Sequence, residues 1–235
     1  KTFGTTQRQI AAVCAKNHTH SVHNPWSQFR KPFTIDEVLA SPPITYPITL
    51  PMCAPLSDGA AAAILCTEEG LKRIGADKSR CIKISASVLR SFSPRRIDQP
   101  ELHVGRLAAQ QAYEIAGLGP QDMHVAEVHD ASAMGEIIQA ENLGLVELGM
   151  GGPAAERGEF TIGGRIPINP SGGLESKGHP IGATGIGQLY ELVTQLRGEA
   201  GARQVEGARH AIQENGGGMQ GVEEAAVAIH ILSKS

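Results

Sequence analysis

The stretch Asn169-Pro170-Ser171-Gly172-Gly173-Leu174-Glu175-Ser176-Lys177-Gly178-His179-Pro180-Ile181-Gly182-Ala183-Thr184-Gly185 gathers five glycines around one histidine and leads straight into a helical pattern. Glycine admits positive φ and close backbone approach, and Pro170 and Pro180 fix the path of the chain, so His179 is expected on a stiff loop. A loop of that kind, held between regular elements, reads as an active-site loop rather than a turn with an incidental histidine.

Working outward, Ile186, Leu189, Tyr190, Val193 and Leu196 recur on one helical face that ends near Gly198. A polar connector over 202–207, a short strand over 209–213, a tight turn at Asn215-Gly216-Gly217-Gly218 and a final strand over 222–232 follow. Upstream, Val125-Ala126-Glu127-Val128 is a strand that delivers His129-Asp130 to its C-terminal end, where open α/β sheets bind ligands. A helix over 132–143 comes next, and the Gly- and Pro-rich segment 145–168 reads as an exposed excursion. Cys81 to Val88 alternates as a half-buried strand, and Arg106 to Ala116 is a helix stopped by Gly117 and Pro120. Strands alternating with helices from residue 81 give an α/β fold, β-α-β-α-β-β, with a mostly parallel sheet covered by helices and a domain boundary near residue 80.

The N-terminal part carries two capping-box signals, Thr6-Gln7-Arg8-Gln9 and Thr34-Ile35-Asp36-Glu37, opening a helix over 6–17 and a short one that must stop before Pro42-Pro43. His18, His20 and His23 have no suitably spaced carboxylate or cysteine and read as solvated loop histidines rather than a metal site. Ala60 to Cys66 has the length and small apolar side chains of a strand buried on both faces, and Thr67 to Ile74 reads as a helix ended by Gly75.

Composition sets the outer limits. The chain of 235 residues is 41% hydrophobic and 19% charged, enough for a real core, with only 4% aromatics, so packing relies on small residues. A net charge of −3 without a basic stripe argues against nucleic acid, and no apolar run is long enough to span a membrane. Cys14, Cys53, Cys66 and Cys81 are widely spaced without a C-x-x-C pair, pointing to reduced thiols in a cytoplasmic protein and no metal. The chain starts at Lys1 and is expected to be a fragment or one half of a split enzyme. His129-Asp130, the His179 loop and the glycine turn are expected to converge at one sheet edge, where paired histidines can activate a nucleophile and consecutive glycines can aim N–H groups at an oxyanion. No P-loop, dinucleotide fingerprint or G-x-S-x-G elbow is present.

Residues 169–185, with Gly178-His179-Pro180 at their centre, resemble the C-terminal active-site loop of the thiolase superfamily. Phe3-Gly4-Thr5-Thr6, Asn24-Pro25-Trp26-Ser27-Gln28-Phe29-Arg30-Lys31-Pro32 and Ser57-Asp58-Gly59-Ala60-Ala61-Ala62 are similar to the middle of thiolases of the sterol-carrier-protein-x group, and His129-Asp130 to that group's His-Asp-Cys-Phe motif. The resemblance implies a layered α-β-α fold with a five-stranded sheet, the second half of a duplicated fold. It makes residues 1–50 the end of a CoA-covering loop domain, 51–80 the last strand and helix of the first half, and 81–235 the C-terminal domain.

It further implies a coenzyme A thioester as substrate with no covalently bound cofactor. A homodimer or tetramer is implied, as is, in some relatives, a small OB-fold partner. His179 matches the base for a nucleophilic cysteine, and His129 the second oxyanion-hole contributor. Gly217 and Gly218 lie at the backbone site that meets the acyl oxygen, with Asn215, Ser171, Gly172 and Asp130 around the substrate. Two departures stand out: the family's nucleophilic cysteine has no counterpart here, and Ala131 and Asn215 occupy the positions of its second acid/base cysteine. Alanine has no proton to give and an amide does not titrate usefully. The reading is therefore an acyltransferase acting on an unusual, branched or aromatic, β-ketoacyl-CoA; the alternatives are a thiolase-like retro-aldolase with an OB-fold partner, or a non-catalytic acyl-CoA-binding subunit.

Overall fold

Both N-terminal capping boxes form. Thr6 opens helix α1 (Gln7–Ser21) by accepting the Gln9 backbone N–H, and Thr34 opens α2 (Ile35–Ala40) with Glu37 returning the bond. In the computed structural model, which describes residues 2–234, a two-stranded ribbon follows, β1 (Pro43–Thr45) against β2 (Ile48–Thr49). Helix α3 (Glu68–Ile74) is capped by Thr67 and ended by Gly75 in the left-handed region. Next come β3 (Ile82–Ser91), α4 (Val104–Ala116), β4 (Val125–Glu127), α5 (Ala133–Asn142) and α6 (Gly151–Glu156). The chain closes with α7 (Gly173–Lys177), α8 (Thr184–Arg197), β5 (His210–Gly217) and β6 (Ala226–Lys234).

The main sheet has four strands in the order β3-β6-β5-β4. Only β4 and β5 run parallel; β6 is antiparallel to both neighbours, so the expectation of a mostly parallel five-stranded sheet is corrected to a mixed four-stranded one. The cause is local: β5 and β6 are joined by the short connection 218–225, and a connection that short returns the chain antiparallel. A fifth strand beside β4 is reduced to one parallel bridge, Ala126 to Ile168. Pro167 offers no N–H to extend it, and Asn169, at φ +53°, turns the chain away after one pair.

The core is not divided at residue 80. Ile10, Ala11, Val13 and Cys14 of α1, with Val38 and Met52, share one apolar cluster with Val104, Ala108, Ile137, Phe160, Ile168, Ile212 and Ile229. A second, smaller cluster under α8 holds Val125, Leu192, Leu196 and Leu232.

Three expectations fail for identifiable reasons. Residues 60–66 form no strand; Ile64 and Leu65 stand 90% and 75% exposed, because no strand among the described residues lies alongside to complete a ladder. Segment 145–168 is not an excursion: Leu145, Ala154, Phe160, Ile166 and Ile168 are buried, the glycines serving to fold α6 tightly against α1 and α5. His18 and His20 are buried in the last turn of α1, which runs four residues past the expected end, while His23 is exposed. His20 donates from Nδ1 to the Asn169 carbonyl and accepts the Ile162 N–H at Nε2, a fully bonded neutral ring whose pKa burial lowers to about 3. No helix among the described residues is long and apolar enough to cross a membrane.

Candidate active site

β4 ends at Glu127, and the backbone N–H groups beyond it are tied down one by one. Val128 donates to the Asn169 side-chain oxygen (2.8 Å) and His129 donates to Glu214 Oε2 (2.9 Å). The His129 ring then meets the His179 ring edge to face, with centroids 4.9 Å apart. His179 is held from three directions: its backbone N–H donates to Ser57 Oγ (3.1 Å), its backbone pairs with Leu56, and its Nδ1 bonds Thr184 Oγ1 (2.7 Å).

These bonds assign the ring hydrogens. The partner of His129 Nδ1 is the Gly216 carbonyl, which can only accept, so Nδ1 carries the hydrogen. The Thr184 hydroxyl donates its one hydrogen to the Pro180 carbonyl (3.1 Å), so it too accepts from its histidine, and His179 likewise carries hydrogen on Nδ1. Both neutral rings therefore keep a lone pair on Nε2. Burial lowers the pKa of each, and the neighbouring His129 and Lys177 lower that of His179 further, so both rings are neutral bases at pH 7.

Behind the pair lies a carboxyl layer. Glu214 is fully buried, and burial, the largest cause, pushes its pKa up to about 8. Glu127 is buried too and accepts both the backbone N–H (3.1 Å) and the hydroxyl (2.8 Å) of Ser171. Asp130 accepts the Leu174 N–H (2.8 Å) at the start of α7 and a hydrogen of the Asn17 amide (3.1 Å); burial and then Glu136 raise its pKa well above the usual carboxylate range.

His129, His179 and the end of β5 do come together. Asn215, half-buried, sits under Gly185, and its Oδ1 is buried with no hydrogen-bond partner among the described residues. Gly217 and Gly218 are exposed; Gly217 belongs to β5 and the turn begins only at Gly218 (φ +68°), a correction to the expected four-residue turn. Ser171, Gly172 and Asp130 do not line the pair. All three are buried with their bonds directed inward, and a side chain at Gly172 would strike Ser21 (2.5 Å), so their expected place around substrate is corrected to a supporting one. The residues that position the rings, Ser57, Thr184 and Glu214, were missed. Thr184 had a legible signal, five residues beyond His179 at the start of a helix; Glu214 had none besides its place before Asn215. Among the described residues no group of three or more His, Cys, Asp or Glu side chains is arranged to hold a metal ion.

The family model described as "Thiolase C-terminal domain-like" matches residues 93–233, which include the His179 loop, both histidines and all of β6 but its last residue. The chain belongs to the thiolase C-terminal domain-like family. Sterol carrier protein 2 of Oryctolagus cuniculus is 46% identical over 219 residues, covering 91% of this chain and 40% of that protein. An acetyl-CoA acetyltransferase of Methanothermobacter thermautotrophicus is 43% identical over 233 residues, 99% of this chain and 60% of that protein. The chain thus spans between two fifths and three fifths of these relatives. Among solved structures, a chain of the "Ltp2-ChsH2(DUF35) aldolase" superposes with a TM-score of 0.81 at 22% identity, covering 99% of this chain and 60% of that one, so the two share a fold over that stretch.

Proposed function

We propose that the chain supplies the histidine half of a thiolase-type acyltransferase, which makes or breaks a β-ketoacyl-CoA through an acyl group carried on a cysteine. The observation that carries the proposal is the pair of neutral rings, 4.9 Å apart, each with its Nδ1 hydrogen committed to an internal acceptor. Neutral His179 takes the proton of the nucleophilic thiol on Nε2 and becomes an imidazolium whose new Nε2–H faces the thioester oxygen. The same transfer thus creates the nucleophile and a charged donor for the oxyanion. In this reading Gly217, at the exposed end of β5, and Gly218 beyond it are the residues whose backbone N–H groups meet the acyl oxygen.

None of the chain's own cysteines fills the nucleophile's role in this reading. Cys14 is buried with Sγ donating to the Pro51 carbonyl, its thiol pushed up by burial and Glu175. Cys66 lies in the exposed run 60–66 and Cys81 bonds the Asp77 carbonyl. The nucleophile is assigned to a segment outside these residues. Leu56, Ile181 and Met219, which are 99%, 82% and 77% exposed, give the rim of the site an apolar character suited to a thioester's acyl chain.

A retro-aldol cleavage of a CoA ester beside an OB-fold partner is the second reading, favoured by one feature, the lack of a thiol at Ala131 and Asn215. One experiment separates the two. In the full-length protein, incubation with acyl-CoA should yield a covalent acyl-enzyme by mass spectrometry, and His179→Ala should slow its formation at least a hundredfold, about the contribution of a general base. Undiminished acylation in the variant overturns the role given to His179, and a retro-aldolase forms no such adduct.

A further inference from the structure

We infer that Thr184 is the positioning residue of the His179 base: its hydroxyl, tied in turn to the Pro180 carbonyl, holds the ring so that Nε2 meets the thiol. The inference rests on the acyl-transfer reading of the same site. A nucleophile and its base need a third group that orients the base, and Thr184 is the group placed to serve.

Its place in the chain brings it there. Thr184 opens α8, four residues after Pro180 and five after His179. A threonine hydroxyl on a helix can bond the carbonyl four residues back, and Thr184 Oγ1 lies 3.1 Å from the Pro180 oxygen. The same oxygen accepts the backbone N–H groups of Ala183 (2.8 Å) and Thr184 (3.0 Å), which fixes the turn between the ring and the helix. A carbonyl only accepts, so the hydroxyl spends its one hydrogen there and keeps its lone pairs for the ring hydrogen on Nδ1, 2.7 Å away. Thr184 is buried, so bulk water does not compete for this bond.

No other side chain orients the ring. Among the described residues Thr184 is the one that hydrogen-bonds it, and the buried carboxyls are engaged elsewhere: Glu127 with Ser171 and Lys177, Asp130 with Leu174 and Asn17, Glu214 with the His129 N–H. The titratable groups that face His179 are Lys177 from α7 and His129 from the end of β4, and both oppose a positive ring. A hydroxyl in this place differs in kind from a carboxylate. A carboxylate at Nδ1 would favour the protonated ring, whereas a hydroxyl fixes direction without adding charge and leaves Nε2 free to take a proton at neutral pH.

In the acylation step the thiol S–H bond breaks, its electron pair stays on sulfur, and the proton forms a bond to His179 Nε2. The hydrogen on Nδ1 remains where it was. The Nδ1–H to Oγ1 bond then has a charged donor and strengthens. Because it is stronger after the proton moves than before, it lowers the barrier as well as aiming the ring.

The test follows acyl-enzyme formation from acetyl-CoA in the full-length protein by rapid-quench mass spectrometry. Thr184→Val keeps the branched shape and loses the hydroxyl. It is expected to slow acylation at saturating substrate about ten- to a hundredfold, the scale of one hydrogen bond to a charged ring, with half-saturation moved less than about threefold. Thr184→Ser, which restores the hydroxyl, is expected to recover most of that loss. Acylation at the native rate in Thr184→Val, or a serine variant as slow as the valine one, overturns the proposal. Nitrogen-15 NMR of the native histidines gives a check that no variant's folding can confuse: the hydrogen of neutral His179 is expected on Nδ1, and finding it on Nε2 overturns the proposal. Failure of the acyl-transfer reading is a separate result, namely no acyl-enzyme in the native protein, and it removes the role given to Thr184 as well.

Discussion

Glu214 is the residue on which the site's electrostatics turn, because it is a carboxyl sealed behind His129 with one oxygen bonded and the other without a partner among the described residues. Its ordinary value of 4.5 is pushed up to about 8 by burial, so at neutral pH it carries a proton. The sign follows from which state binds that proton. Between pH 4.5 and 8 the folded form holds it and the unfolded form does not, so this contribution is complete below 4.5 and is lost as pH rises through 8. The slope is about 1.4 kcal/mol per pH unit for one proton. Glu214→Gln is therefore expected to flatten the fall in urea-unfolding stability between pH 6 and 9 in the full-length protein; an unchanged slope would show that Glu214 is ionised throughout. At this scale the sequence spoke clearly only about side chains that face outward. His129 and His179 were legible from their glycine and strand context, whereas the tautomers that decide what each ring can do depend on Gly216 and Thr184, partners that only the folded chain brings within reach.

Among the elements, α7 explains why the loop around His179 is built from glycine. Its N-terminus packs so closely on the carboxyl layer that a side chain at Gly173 would stand 2.2 Å from Asp130 Oδ2 and 2.9 Å from the Asn17 amide nitrogen, at a φ of +62°. Gly182, in the same loop, has nothing within 4 Å of where a side chain would begin. The two make a matched pair: Gly173→Ala is expected to cost several kcal/mol, through lost Asp130 bonding and backbone strain of about 1–3 kcal/mol, and Gly182→Ala less than about 1. Chemical denaturation of both variants checks this, and equal effects would mean that the loop's glycines are interchangeable. The same contrast shows what patterns could reveal about the fold. The helices of clear period or cap, α1, α2, α4 and α8, and the strands β3, β4 and β6 were legible. Segment 145–168 was not, because its glycines and prolines signal turns equally whether the turns face water or, as around Phe160, fold into the core. The sheet's direction was hidden for a related reason: a hairpin between β5 and β6 and a single bridge at Ile168 are settled by backbone geometry around Asn169 and Gly218, not by hydrophobic period.

At the scale of the whole molecule, α1 is the piece that joins the N-terminal segment to the sheet, and it does so through charge as well as apolar packing. The Lys16 ammonium lies 2.7 Å from Glu136 Oε1 and donates to the Ile168 carbonyl (2.6 Å), both side chains being almost wholly buried. One residue on, the Asn17 amide donates to Asp130, Glu136 and Glu175. Three carboxyls thus meet at one amide, with Glu136 in contact with the Lys16 ammonium, and Lys16 moderates the upward pKa shifts that burial imposes on Asp130 and Glu175. Such a cluster contributes little net stability when intact, since desolvation offsets the attraction, but removing one partner leaves a buried charge uncompensated. Lys16→Met should therefore destabilise the protein by about 3–5 kcal/mol, far more than the loss of an exposed pair such as Arg73–Glu69. Glu136→Gln, which removes the charge but keeps the acceptor, should restore a substantial part of that loss when combined with Lys16→Met. Urea unfolding of the two single variants and the double variant closes the cycle: a coupling of at least about 1.5 kcal/mol is expected between residues in direct contact, and additive effects would mean that α1 is held by its apolar face alone.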